Sequence, residues 1–328
     1  MLERKFFKKF MEKTNKVLRI VLCCASFAFI AMFLLGLFAL PLFSGANIYD
    51  FVKNFIESIK NSSGGSAADI INAIFAPLVM MGLAVVFGII GIVKGIKLLI
   101  ASIKGLSAEE GKAPVKPLLS FGLLLLVFVA CLSSVSGYYS LGAGSIMFLL
   151  AGILAVCGVG VFAFFARSEE KLLNRIFALG LATLAVVGLL FTIRGLVSGF
   201  GGYRSGAIGV IMICFQSLVA GAGSEVAGVI FAMLGAILLF VALGFAKAVV
   251  VNALAVEEEK KEADNAKSSI VKSALWLGFL LVGFLLVVIP FSSEGYDVAA
   301  SGIVALVLAA SALGLAIVSK VLGSKESK

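Results

Sequence analysis

The sequence predicts an all-α integral membrane protein with eight transmembrane helices, built as a tandem parallel duplication of a four-helix unit with amphipathic outer-surface segments in its long hairpins. Composition and an internal repeat carry this prediction. Of the 328 residues, 61% are hydrophobic and 14% are charged, and the mean hydropathy is +1.16. Soluble domains carry about 25% charged residues. The chain therefore has the composition of a membrane protein.

Eight apolar segments are long enough to cross a bilayer, because about 20 helical residues span the hydrocarbon core and a helix satisfies its own backbone hydrogen bonds. The segments lie at approximately 20–43, 72–93, 118–135, 146–166, 176–193, 226–246, 273–291 and 301–319. The first has 24 residues, more than the roughly 7–15 of a signal-peptide core. We therefore expect it to be retained; cleavage near 44–46 would leave seven spans.

A five-residue pattern in the second segment recurs 153 residues later in the sixth. The two sets are Met80, Gly82, Phe87, Gly91 and Lys94, and Met233, Gly235, Phe240, Gly244 and Lys247. Basic residues at the segment ends repeat at similar distances: Lys94/Lys247 and Arg167/Lys320 at 153, and Arg19/Arg175 and Lys116/Lys272 at 156. The repeat predicts a basic cytoplasmic arm at 1–19, four-helix repeats at 20–167 and 168–320, and a tail at 321–328. Both repeats begin and end on one side of the membrane, so the duplication is parallel.

Glycines within the repeated segments are candidates for close helix packing, since a small residue lets two backbones approach. They are Gly82, Gly91, Gly95, Gly235 and Gly244. The partner helix could lie in the same bundle or in another protomer.

Charge predicts the orientation. If both termini are cytoplasmic, 23 Lys and Arg residues lie inside and four outside, a strong positive-inside bias. All tyrosines then fall in outer loops, as an interfacial aromatic belt requires: Tyr49, Tyr138, Tyr139, Tyr203 and Tyr296. The single Trp276 falls near the inner face. The sequence thus predicts a multi-pass plasma-membrane protein, and its Lys excess over Arg favours a bacterial source.

Basic residues near the inner ends of the segments are expected to anchor the helices at the interface and to bind anionic lipid. They are Lys94, Lys97, Arg167, Lys247 and Lys320. Because the +9 net charge is concentrated at this face, we expect membrane lipids as partners and no nucleic acid.

The long outer hairpins contain additional helical patterns. Residues 47–60 alternate apolar and charged side chains at helical spacing, which suits a helix lying in the outer interface. The equivalent 207–222 is more apolar and could lie on the membrane, re-enter it or span it. A spanning segment would place the basic residues of 247–272 outside, so we expect it at the outer surface.

The inventory of reactive groups argues against catalysis. The chain has no histidine, no carboxylate lies in any apolar segment, and the five cysteines have no metal or redox spacing. We therefore expect no catalytic, cofactor or metal site. The predicted function is a non-enzymatic structural or assembly subunit of a plasma-membrane complex, a homo-oligomer or a partner of other membrane subunits. The alternative is a channel or carrier for a neutral or weakly polar solute, with any pore between protomers.

Overall fold

The computed structural model describes residues 2–42, 49–50, 53, 56–57, 60, 67–107, 112–135, 141–167, 171–197, 226–254, 262–288 and 300–325. This part of the chain contains eight long helices: α1 Leu2–Phe38, α2 Ala67–Ser107, α3 Val115–Val135, α4 Ala143–Ala166, α5 Leu172–Val197, α6 Val226–Leu254, α7 Glu262–Val288 and α8 Ala300–Lys325. Each includes a window long and apolar enough to cross a membrane. The prediction of an all-α protein with eight membrane spans is confirmed.

The first compact unit, Met1–Ser168, contains α1 to α4 arranged as a closed ring. In this ring α1 packs on α2 and α4, and α3 packs on the same two helices. Neighbours in the chain are therefore neighbours in space, the up-down order expected of a bundle with short connections.

The second compact unit, Glu169–Lys328, contains α5 to α8 in the same ring order. Here α5 packs on α6 and α8, and α7 packs on α6 and α8. The boundary between the units lies one residue from the repeat boundary drawn at 167/168. Both units share this packing order, and the duplication stays a prediction.

The first and fourth helices of each unit cross closely at paired glycines. In the first unit a Cβ atom placed on Gly144 would lie 2.6 Å from the carbonyl oxygen of Gly36. In the second unit a Cβ atom on Gly195 would lie 3.5 Å from Cα of Gly302. These four glycines were not among the predicted packing residues, and they hold equivalent helix pairs together.

Hydrogen bonds also join the end of α1 to the start of α4. The backbone N–H of Gly142 donates to the carbonyl of Leu42 at 2.9 Å, and that of Gly144 donates to the carbonyl of Pro41 at 2.9 Å. The buried Ser145 hydroxyl donates to Leu42 at 2.7 Å. These bonds satisfy amides at the start of α4 that have no partner within the helix.

The second and sixth spans extend further along the chain than the sequence predicts. Instead of ending at residue 93, α2 continues as helix to Ser107, and its apolar window is Ala84–Ser107. The window of α6 is Ile230–Leu254, compared with the predicted 226–246. Lysines assigned to the segment ends therefore lie within helices.

The amphipathic segments are only partly described. Of residues 47–60, the described ones are helical, as the pattern predicts: Tyr49, Asp50, Lys53, Ile56, Glu57 and Lys60. The segment 207–222 lies outside the described residues.

Candidate functional site

Phenylalanine rings fill the centre of the first unit. Phe33 of α1, Phe121 and Phe128 of α3, and Phe148 of α4 are almost completely buried. The ring centroids of Phe33 and Phe121 are 5.6 Å apart in an edge-on arrangement, and those of Phe33 and Phe148 are 5.5 Å apart. Such pairs contribute about 0.5–1.5 kcal/mol beyond the area that they bury. The described core of this bundle is therefore aromatic and closely packed.

In the second unit, aromatic rings of α7 pack against glycines of α5. Trp276 of α7 is fully buried, and its ring occupies the position that a Cβ atom on Gly188 of α5 would need. Two turns further along, the ring of Phe284 lies 2.9 Å from the Cβ position of Gly195. Glycines on α5 leave room for the Trp276 ring in the core. The expectation that Trp276 lies near the inner face stays a prediction.

Hydroxyl groups of the helices bond to their own backbones. The buried Ser26, Ser102 and Thr192 each donate to the carbonyl four residues earlier, at 2.7, 2.8 and 2.7 Å. The exposed Thr183 and Ser311 do the same at 2.9 and 2.8 Å. These hydroxyls therefore satisfy their donors locally, as is common for Ser and Thr in helices.

Lys94 contacts the neighbouring helix α3 within the first bundle. It is half-buried, and its ammonium donates a hydrogen bond to the hydroxyl of Ser120 on α3. One residue further along α2, the Cβ position of Gly95 lies 3.9 Å from Ile30 of α1. Ile30 is 11 residues from Arg19, or about 16 Å along a helix. Lys94 therefore lies within the apolar window Ala84–Ser107 of α2 and not at its end. Its role as an anchor at the inner interface stays a prediction.

A second polar group connects α6 to α7. The amide of Asn252 donates to the Ser269 hydroxyl at 2.6 Å, and the Lys272 ammonium donates to the Asn252 side-chain oxygen at 3.4 Å. Polar bonds of this kind join membrane helices. This group was not predicted from the sequence, because Asn252 lies beyond the sixth apolar segment drawn at 226–246.

The predicted packing glycines divide into two sets. Gly91 packs against the ring of Phe33, Gly95 lies 3.7 Å from Phe121, and Gly235 lies 2.7 Å from the carbonyl of Gly283, all measured from the Cβ position. Gly82 and Gly244 are exposed, and no atom of the described residues lies within 4 Å of their Cβ positions. For these two the described residues show no packing contact, and packing within the bundle or against another protomer stays a prediction.

The repeated pattern presents opposite faces of α2 and α6. Buried positions of the two helices correspond at a separation of 151 residues: Ala84/Gly235, Gly88/Leu239, Gly91/Ala242, Gly95/Ala246, Leu98/Val249 and Ser102/Ala253. The residues of the repeated sequence pattern, in contrast, correspond at a separation of 153 residues. Two residues turn a helix by about 200°. Residues that face inward on α2 therefore have their sequence matches facing outward on α6.

The other predicted anchors lie on the surface or at a helix end. Lys97, Lys247 and Lys320 are exposed, and the backbone N–H of Arg167 ends α4 by donating to Ala163 at 3.2 Å. Tyr49 is exposed, whereas Tyr138, Tyr139, Tyr203 and Tyr296 lie outside the described residues. Binding of these lysines to anionic lipid and the aromatic belt stay predictions.

Within the described ranges, no group of three or more His, Cys, Asp or Glu side chains could hold a metal ion. Comparisons of the chain with protein-family models, with curated proteins and with solved structures find no match.

Proposed function

We propose that this multi-pass membrane protein is a non-enzymatic structural or assembly subunit of a plasma-membrane complex, with both termini in the cytoplasm. One observation carries the proposal: aromatic side chains close the described core of each bundle. An ion pathway needs polar groups at the bilayer midplane to replace lost hydration. In the described part of the chain, Phe33, Phe121 and Phe148 fill the core of the first unit and Trp276 fills that of the second, which supports bundles without a polar pathway.

Charge distribution supports the orientation and the lipid partners. The 23 to 4 bias of Lys and Arg favours cytoplasmic termini, and a basic inner face favours anionic lipid. The excess of Lys over Arg supports a bacterial plasma membrane. Each unit has four described helices. With 207–222 at the outer surface, both units would enter and leave the membrane on the same side.

The alternative is a channel or carrier for a neutral or weakly polar solute, with its pore between protomers. Two exposed hydroxyls favour it. Thr183 on α5 and Ser311 on α8 point out of the second unit, and the packing of Gly180 on Leu315 places them at similar depth. A pore between protomers could be lined by such groups without opening either bundle.

Flux measurements on proteoliposomes separate the two proposals. With the purified protein, we expect permeability to potassium, protons, small anions and glycerol equal to that of empty liposomes. Protein-dependent glycerol flux that falls in the double variant Thr183→Val, Ser311→Ala would establish the alternative. Reproducible single-channel conductance would overturn the structural-subunit proposal.

A further inference from the structure

Two polar side chains of α7 lie completely buried in the core of the second unit. Ser273 and Trp276 are both 0% exposed. Neither the hydroxyl oxygen of Ser273 nor the indole nitrogen of Trp276 has a hydrogen-bond partner among the described residues. A buried polar group without a partner costs free energy, because it has given up its hydrogen bonds to water. These two atoms therefore need a further hydrogen-bonding group.

Ser273 differs from the buried hydroxyls that bond to their own helix. Ser26, Ser102 and Thr192 each donate to the carbonyl four residues earlier, at 2.7, 2.8 and 2.7 Å. That local bond is common for Ser and Thr in helices. The hydroxyl of Ser273 does not make it to the carbonyl of Ser269. It is therefore directed to a different partner.

The indole N–H of Trp276 lies on the edge of the ring that faces α5. The ring atom Cζ2 is 2.6 Å from the Cβ position of Gly188, and Cζ2 is bonded to the carbon that carries the indole nitrogen. The carbonyl of Gly188 accepts the hydroxyl of Thr192 at 2.7 Å in addition to its helix hydrogen bond. Both of its lone pairs are then used, so this carbonyl cannot accept the indole N–H.

The space beside Ser273 suits a very small ligand. Glycines of α5 contact rings of α7 at two points, spaced seven residues apart on α5 and eight on α7, so the two helices run side by side in the same direction. Ala185 of α5 is level with Ser273, because each lies three residues before the contact of Gly188 with Trp276. Ala185 is 0% exposed and has only a methyl group. A small side chain next to a closely packed ring favours a ligand of the size of water.

We propose that one water molecule binds between α5 and α7 in the core of the second unit, where it accepts a hydrogen bond from the indole N–H of Trp276 and bonds to the hydroxyl of Ser273. Water suits both groups, because the indole is a donor only and a hydroxyl can donate or accept. Buried waters typically make about three hydrogen bonds to polar groups that otherwise have no partner. This water site is independent of the proposed assembly role.

The water site extends a polar group that begins nearer the end of the bundle. The hydroxyl of Ser269, one turn before Ser273 on the same face of α7, accepts from the Asn252 amide at 2.6 Å. The bound water continues these contacts into the core. Beyond Trp276, the next buried residues of α7 are Leu280 and Phe284, which are apolar. The polar groups therefore end at the tryptophan ring, and the water hydrates a closed site.

A crystal structure of the purified full chain, at a resolution that shows ordered water, tests the proposal directly. We expect a density peak at about 2.5–3.2 Å from both Trp276 Nε1 and Ser273 Oγ. Absence of the peak, or a peak that contacts only one of the two atoms, would overturn the proposal. A Ser273 hydroxyl bonded to the carbonyl of Ser269, or a detergent or lipid atom in place of the water, would overturn it as well.

The single tryptophan of the chain provides a second test in solution. Isotope labelling of the indole nitrogen gives one N–H resonance by NMR, and its proton shift reports the hydrogen bond of Trp276. We expect Ser273→Ala to move this resonance upfield, because the water loses one of its two anchors. The matched control is Ser311→Ala: the exposed Ser311 hydroxyl bonds to its own helix at 2.8 Å, so the resonance should not move.

An indole resonance that Ser273→Ala leaves unchanged would contradict the proposal, as would an equal shift in Ser311→Ala. The crystal structure of the unaltered chain decides the question even where Ser273→Ala does not fold.

Discussion

At the scale of residues, large rings packed against glycines determine the shape of each core. Gly91 accepts Phe33, and Gly188 accepts Trp276. Lipid chains are as apolar as the side chains, so these contacts stabilise the bundle mainly through close packing. Glycine in these helices is therefore significant only where a ring or a backbone lies against it.

Replacing Gly91 with Leu should destabilise the first bundle, because the new side chain overlaps the ring of Phe33. Overpacking of this kind typically costs about 1–3 kcal/mol. Replacing Gly244, its match in the sequence repeat, with Leu should leave thermal stability in detergent unchanged, because no atom of the described residues lies within 4 Å of its Cβ position. Equal losses of stability in the two variants would contradict the finding that the repeated residues face inward on α2 and outward on α6.

At the scale of elements, the packing of α7 against α5 depends on the ring of Trp276, which lies against Gly188. We expect Trp276→Ala to lower the stability of the purified protein by about 3–5 kcal/mol through the cavity that it leaves. Adding Gly188→Leu should recover part of this loss, whereas Gly188→Leu alone should be destabilising. Thermal unfolding of the two single variants and the double variant measures the coupling. Additive losses would show that the two residues do not share a space.

The eight membrane helices could be predicted from the sequence. Which face of each helix points into the bundle could not. Length and hydropathy predicted all eight spans, because no soluble element has such long apolar runs. In a bilayer both faces of a helix are apolar, so hydrophobic periodicity carries little information about which face is buried. This is why Gly244 and Gly91 were expected to be equivalent.

Candidate site residues were predictable only in part. Lys94 and Lys247 stood out as charges in apolar segments, but the segment limits at 93 and 246 made them appear terminal. The partner of Lys94, Ser120, has no distinguishing feature in sequence and is identified only by the packing of α2 on α3. Predicting the contacts of Asn252 with Ser269 and Lys272 would need the register of α6 against α7, and spacing along the chain does not give that register.

At the scale of the whole molecule, the orientation follows from the charge bias and can be measured by labelling single cysteines in a chain without its five native ones. Positions in the loops around Tyr138 and Tyr296 should react with an impermeant reagent in intact cells. Positions near Glu109 and Glu258 should react only after permeabilisation. Labelling near Glu258 from outside would contradict the eight-span topology and indicate that 207–222 spans the membrane.

The most direct measurement of the assembly role is the mass and composition of the particle released from native membranes in mild detergent. We expect a particle heavier than the 34.1 kDa chain in its detergent micelle, containing at least one other polypeptide. Deleting the gene for this chain should cause the remaining subunits to separate. In the intact particle, the closed bundles of this chain should show no continuous polar tunnel. A particle made of this chain alone that conducts ions in a planar bilayer would contradict the account.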